Sequence, residues 1–139
     1  MLLDTSGLMC LFDRRDLQHA SAQKHCDSAT RRLVHNYVFA EFVALAIARR
    51  APLSDAFGFI EAIHGSDEIE TIWVDPRVHE SAMRLLIQVE DKRWSLCDAV
   101  SFLLMTAYSI DRARRQIITS NRPASFGCFR NEPRFCHER

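Results

Sequence analysis

Short apolar runs alternate with longer amphipathic stretches along this chain. Runs typical of buried strands cover positions 1–4, 32–35, 70–74 and 116–119. Between them, apolar residues recur every three or four positions, which predicts helices over 6–12, 19–29, 38–49, 52–63, 76–89 and 95–110. A further edge strand is expected between 128 and 135.

Strands that alternate with helices form parallel βαβ units, and helices then cover both faces of the sheet. The predicted fold class is therefore α/β, a three-layer α/β/α sandwich with a short, mostly parallel central sheet. A chain of 139 residues has the usual size of one domain, so we expect a single domain over 1–139.

Several predicted helices begin at residues that are favourable caps. Asn36 is expected to cap the helix after the second strand, and Asp75 with Pro76 the helix after the third. Ser95 and Asp98 have the spacing of a capping box, in which the acid reaches back to the cap residue.

The charge balance gives no overall attraction to nucleic acid, since 18 basic residues are matched by 18 acidic ones. Contact with a phosphate backbone would depend on local arginine clusters. Such clusters also mark solvated helix ends, and the sequence leaves both interpretations open. The clusters are Arg14-Arg15, Arg31-Arg32, Arg49-Arg50, Arg112-Ala-Arg114-Arg115 and the series Arg122, Arg130 and Arg134.

The sequence predicts a cytoplasmic protein. No apolar run approaches the roughly 18 residues of a membrane helix, and a predicted strand begins at Met1, so we expect no cleavable leader. The cysteines include no Cys-x-x-Cys pair, which favours reduced thiols over a disulfide framework.

Three acids stand where apolar neighbours dominate. Asp4 ends the first predicted strand, Glu41 is the only acid between Tyr37 and Ala48, and Asp98 lies in the first turn of the last predicted helix. In parallel sheets, functional groups gather at the carboxyl ends of the strands, so these acids can share one edge. Each also has a purely local interpretation: Asp4 as a helix cap, Asp98 as part of a capping box, and Glu41 as a side chain reaching solvent or an arginine.

Carboxylates gathered in this way repel one another unless a cation lies between them. Oxygen ligands are those that hard divalent metals prefer. The sequence therefore predicts a Mg²⁺ or Mn²⁺ site and points to phosphodiester chemistry.

The same segments resemble a known family. Leu3-Asp4-Thr5-Ser6, Glu41 in its apolar helix, and Asp91-Lys-Arg-Trp-Ser-Leu-Cys-Asp98-Ala-Val-Ser-Phe102 are similar to the PIN domain, most of all to the single-domain VapC-type toxins of bacterial toxin–antitoxin pairs. The resemblance implies an α/β/α sandwich, a Mg²⁺- or Mn²⁺-dependent ribonuclease, frequent homodimers and neutralisation by a small antitoxin protein.

Carried over to this chain, the resemblance makes Asp4, Glu41 and Asp98 the catalytic and metal-binding acids. The family often has a fourth acid after its fourth strand, and this position is Asn121 here. An amide offers a neutral oxygen but no charge, so Asn121 would be a weaker metal ligand and a second metal would suffer most.

The sequence supports one preferred hypothesis and two alternatives. The preferred one is an endoribonuclease in which the hydroxyl groups of Ser6 and Thr119 orient the metal ligands. Because Asn121 replaces an acid, the first alternative is a catalytically weakened module that binds RNA or a protein partner without cutting. The second is a hydrolase of DNA or of a small phosphate ester, which the neutral net charge disfavours for duplex DNA.

Overall fold

A computed structural model of the chain describes residues 1–89 and 93–110. The predicted strands at 116–119 and 128–135, with Thr119 and Asn121, lie outside the described residues. In chain order, the elements are α1 (Thr5–Phe12), α2 (His19–Ser28), β1 (Arg32–His35), α3 (Asn36–Ala48), α4 (Leu53–His64), β2 (Ile69–Ile72), α5 (Pro76–Gln88) and α6 (Leu96–Ala107).

The described strands run parallel, as predicted. β1 pairs with β2 in the register Arg32↔Ile69 to His35↔Ile72. On the other side of β1, the chain start forms a parallel bridge between Leu2 and Leu33, where two backbone hydrogen bonds of 2.8 and 2.9 Å join the segments. The predicted first strand is thus shorter than expected, but it pairs beside β1 and brings Asp4 to the carboxyl end of the sheet.

Helices cover both faces of this sheet. Val34 on β1 packs into a core cluster built with α1 to α4. The next residue, His35, faces the other way, because strand side chains alternate between faces, and it contacts Ser101 on α6. A second cluster on that side joins α5 to α6 through Ala82 and Val100. The predicted α/β class is confirmed.

Two of the predicted helix caps are confirmed and one is wrong. Asp75 Oδ1 accepts a hydrogen bond of 2.8 Å from the Val78 backbone, and Ser95 opens α6 in a capping box. Asn36 is not a cap, because α3 already begins at this residue. Its side-chain oxygen instead accepts a 2.9 Å hydrogen bond from the Val74 backbone and so links α3 to the end of β2.

His35 occupies a buried position between the sheet and α6. Its side chain is 0% exposed, Nε2 lies 2.8 Å from Ser101 Oγ, and Nδ1 has no hydrogen-bond partner among the described groups. Burial lowers the pKa of His35 to about 4. The folded protein therefore takes up a proton at this site less readily than the unfolded chain does.

This lowered pKa predicts acid sensitivity. An unfolded histidine titrates near pH 6.5, so the stabilisation from neutral His35 is complete above that pH and is lost as the pH falls from about 6.5 to about 4. Between about pH 7.5 and about pH 5, we expect His35 to remove about 2 kcal/mol from the free energy of unfolding. Urea titrations of the wild type and His35→Gln at both values measure this, and equal pH dependence in the two proteins would contradict it.

Candidate active site

Asp4 lies where the paired N-terminal segment turns into α1. It is the N-cap of that helix, and its Oδ1 accepts a 2.7 Å hydrogen bond from the Gly7 backbone. The interpretation of Asp4 as a cap is therefore confirmed. Because the start of a helix carries a partial positive charge, this position also favours an ionised carboxylate.

Glu41 lies in the second turn of α3, half-buried beside the fully buried Val38 and Phe42. The Thr5 hydroxyl donates a hydrogen bond of 2.5 Å to Glu41 Oε2. In the described part of the chain, Glu41 forms no ion pair with an arginine. Its carboxylate is thus held by a residue that immediately follows Asp4.

Asp98 is fixed at the start of α6 by the predicted capping box. Its Oδ2 accepts hydrogen bonds from the Ser95 backbone at 2.9 Å and from the Ser95 hydroxyl at 3.0 Å. In return, the Asp98 backbone donates to Ser95 Oγ at 3.1 Å. The two bonds from Ser95 use the same carboxylate oxygen and orient the Asp98 side chain at the positive end of α6.

The Cys97 thiol is partly buried near Glu41. Burial raises the pKa of Cys97, and further increases come from the charge of Glu41, from a hydrogen bond with Glu41 and from the charge of Asp98. A hydrogen bond with Thr5 acts in the opposite direction. The thiol is thus near Glu41, and the Thr5 hydrogen bond joins Glu41 to the segment that carries Asp4.

Sequence reasoning missed Thr5 and Cys97. Both are immediate neighbours of predicted acids, Asp4 and Asp98, and each lies in the first turn of its helix, α1 or α6. Their position next to a predicted acid is the sequence signal from which both residues could have been identified. Ser6, which the sequence proposes for this role, is exposed on the first turn of α1.

The donor set fits a hard divalent cation by its chemistry. Within 1–89 and 93–110, no three His, Cys, Asp or Glu side chains form a group that could hold a metal ion. Mg²⁺ usually keeps several of its waters and takes only one or two carboxylates directly. Asp4, Glu41 and Asp98 are hard oxygen donors, the kind of ligand that such a partly hydrated ion takes.

Among the residues that the structure describes, the arginine clusters are of two kinds; those from Arg112 to Arg134 lie outside these residues. Arg31 forms an ion pair with Glu70 at 2.7 Å, and Arg32 forms one with Glu68 at 2.5 Å. These ion pairs link the start of β1 to the start of β2. Arg49, by contrast, is the exposed C-cap of α3, as the solvated-end interpretation predicts. It lies about 12 Å along the helix axis from Glu41.

The fold is an α/β fold similar to that of PIN domains, with Asp4 and Asp98 at the starts of α1 and α6 and Glu41 bound by the residue after Asp4. Among solved structures, the chain is similar to VapC20 of Mycobacterium tuberculosis, a sarcin-ricin loop cleaving toxin. The identity is 25% and the TM-score 0.70, over 78% of this chain and 83% of VapC20. The resemblance to VapC-type PIN domains is confirmed. No protein-family model and no curated protein sequence matches the chain.

Proposed function

We propose that this protein is a metal-dependent endoribonuclease that hydrolyses RNA phosphodiester bonds. The observation that carries the proposal is the hydrogen bond from Thr5, the residue after Asp4, to Glu41, which joins the segments of these two acids. The likeness in fold to an RNA-cleaving toxin supports RNA as the substrate class.

Asp4, Glu41 and Asp98 would hold Mg²⁺ or Mn²⁺ directly or through water, with Asn121 as a neutral additional ligand. The cation would polarise the phosphodiester and make the attacking water easier to deprotonate. One carboxylate accepts that water's proton. Thr5 and Ser95 hold two of the acids in place, and Ser6 and Thr119 remain proposed as further orienting groups.

The exposed arginines suit the RNA backbone. Arg14, Arg15, Arg49 and Arg50 are all exposed at or just beyond helix ends, where they could contact the phosphates of an RNA. Such contacts position a nucleic acid without reading its sequence.

A small antitoxin, a second copy of this chain and a cytoplasmic location are proposed from the resemblance to VapC-type toxins. Large apolar side chains that are partly or largely exposed offer surface for protein contacts; they include Ile47, Leu53, Phe57, Met83 and Ile87. In the part of the chain that the structure describes, no helix is both long and apolar enough to cross a membrane.

Cleavage of a labelled mixed RNA pool tests the proposal. We expect cutting with Mg²⁺ or Mn²⁺, none with EDTA, and a loss of at least about 100-fold in an Asp4→Asn/Asp98→Asn double variant. Asparagine keeps the capping ability of the first position, so the double variant is expected to fold. EDTA-resistant cutting, or equal cutting by the double variant, would contradict the proposal.

A second candidate function is a binding module that does not cut, and the replacement of an acid by Asn121 favours it. The same assay separates the two functions. A wild-type protein that retains RNA on a filter but leaves it intact with every metal is a binding module. A parallel DNA pool tests the hydrolase alternative, and preferential cutting of that pool would favour it.

A further inference from the structure

Trp73 is the first residue after β2 and lies at the carboxyl edge of the sheet. The register of the three paired segments places Asp4, His35 and Ile72 in one row across this edge. Neighbouring strands lie about 4.8 Å apart, so the backbones of Asp4 and Ile72 are separated by about 10 Å. Trp73 is one residue further along its segment and therefore lies at the same edge as Asp4.

The Trp73 side chain is exposed, although its segment is tied to two neighbouring helices. The residue is 66% exposed. The Val74 backbone donates a 2.9 Å hydrogen bond to Asn36 Oδ1, which joins this segment to the start of α3. The ring of His64, on α4, lies perpendicular to the indole, with 5.9 Å between the ring centroids. These contacts hold a large aromatic ring at the sheet edge with most of its surface in solvent.

Arg77 follows four residues later, in the first turn of α5. It is exposed and, among the described residues, forms no ion pair. The start of a helix carries a partial positive charge, so helix electrostatics disfavour a cation at this position. The only acid between Trp73 and Arg77 is Asp75, and its Oδ1 accepts the hydrogen bond from the Val78 backbone. An anionic ligand therefore accounts for Arg77 better than the stability of α5 does.

We propose that Trp73 and Arg77 form a subsite for single-stranded RNA, in which a nucleobase stacks on the indole and the guanidinium group pairs with a backbone phosphate. The choice of RNA rests on the proposed function, whereas the placement of the two residues does not. Aromatic rings that stack bases, combined with cations that follow the backbone, are the usual means of binding single-stranded nucleic acid. The subsite lies at the edge that carries Asp4, so it binds a nucleotide of the strand that the proposed nuclease cuts.

The surroundings of Trp73 favour RNA over a protein partner. Protein contacts generally use continuous apolar patches. His64, Asp75 and Arg77, which lie near Trp73 in space or in sequence, are all polar and exposed. An isolated aromatic ring among polar groups suits a base, which offers a flat face for stacking and polar groups at its edges.

Affinity for a fluorescein-labelled pool of mixed single-stranded RNA, measured in EDTA, tests the subsite without metal or cleavage. We expect Trp73→Ala to weaken binding at least about fivefold. Trp73→Phe keeps an aromatic face and should stay within about threefold of the wild type. Arg77→Gln should reduce the slope of log affinity against log salt by about 0.7, the share of one phosphate contact. Phe57→Ala removes another exposed ring and, as the matched control, should leave the affinity unchanged.

Two further readouts identify stacking as the role of the ring. An abasic RNA of the same length has phosphates but no bases, so the wild type and Trp73→Ala should bind it equally, while Arg77→Gln should bind it more weakly. The chain has two tryptophans, so Trp73 is the only one left in Trp94→Phe. Adding the RNA pool to that variant should quench its tryptophan fluorescence.

The inference is overturned if Trp73→Ala binds the RNA pool as tightly as the wild type, if Trp73→Phe is as weak as Trp73→Ala, or if abasic RNA shows the same loss. A wild type that binds no RNA overturns it as well. If Trp73→Ala changes the sedimentation coefficient but not the RNA affinity, the ring belongs to a contact between copies of the chain, and the subsite is again overturned.

The outcomes distinguish the subsite from the proposed function. A wild type that cuts RNA, beside a Trp73→Ala variant of unchanged affinity, retains the nuclease and overturns the subsite. A wild type that binds RNA but leaves it intact with every metal overturns the nuclease, and a selective loss of binding in Trp73→Ala then still supports the subsite.

Discussion

Replacing Glu41 by glutamine is expected to lower the rate of RNA cleavage by at least about 100-fold while the protein stays folded. The substitution keeps the size of the side chain, and its amide oxygen can still accept the hydrogen bond that Thr5 donates. What disappears is the negative charge, which both attracts a divalent cation and allows the group to accept a proton. Cleavage rates with saturating Mn²⁺, beside circular dichroism of the same preparations, measure the effect.

Glu61→Gln is the matched control for this prediction. Glu61 is an exposed acid on α4, so the same chemical change there should leave cleavage within about twofold, as surface substitutions usually do. Wild-type rates in both variants would show that Glu41 takes no part in the reaction. Equal losses in both would indicate that overall charge, rather than the site, controls the rate.

The largest effect on stability is expected from Phe42→Ala, which we predict to lower the free energy of unfolding by about 3–5 kcal/mol. Phe42 is 0% exposed. Its ring lies 5.4 Å from that of Phe12 in an edge-on arrangement and 5.5 Å from that of Phe59. The substitution removes these aromatic contacts and leaves a cavity between α1, α3 and α4. Urea unfolding measures the change.

Phe57→Ala supplies the comparison for the core substitution. Phe57 lies on α4 but is 51% exposed, so its truncation should cost less than about 1 kcal/mol. A similar loss in both variants would mean that the Phe12–Phe42–Phe59 cluster is not the centre of this core.

The order of elements could be predicted because it depends on local patterns. Apolar spacing distinguishes strands from helices, and Ser95 with Asp98 forms a capping box through backbone bonds within one turn. The role of Asn36 could not be predicted in the same way. Asn36 stands at the start of α3, where a cap was expected. Its side-chain oxygen instead accepts a hydrogen bond from the backbone of Val74, 38 residues away.

The candidate site could likewise be predicted only in part. Topology alone predicted that Asp4 and Glu41 come near one edge of the sheet, and the Thr5 hydrogen bond to Glu41 agrees with this. The direction in which Thr5, Ser6 and Cys97 point depends on the phase of helices α1 and α6 relative to α3. Helix phase is set by packing between distant segments, so no local pattern reveals it.

In the proposed nuclease, acids from three segments form one site for a divalent cation. A titration with Mn²⁺, followed by electron paramagnetic resonance, tests this most directly on the wild type and on the single variants Asp4→Asn, Glu41→Gln and Asp98→Asn. We expect the wild type to bind Mn²⁺ and each variant to bind it at least about tenfold more weakly. Unchanged Mn²⁺ affinity in all three variants would contradict the claim.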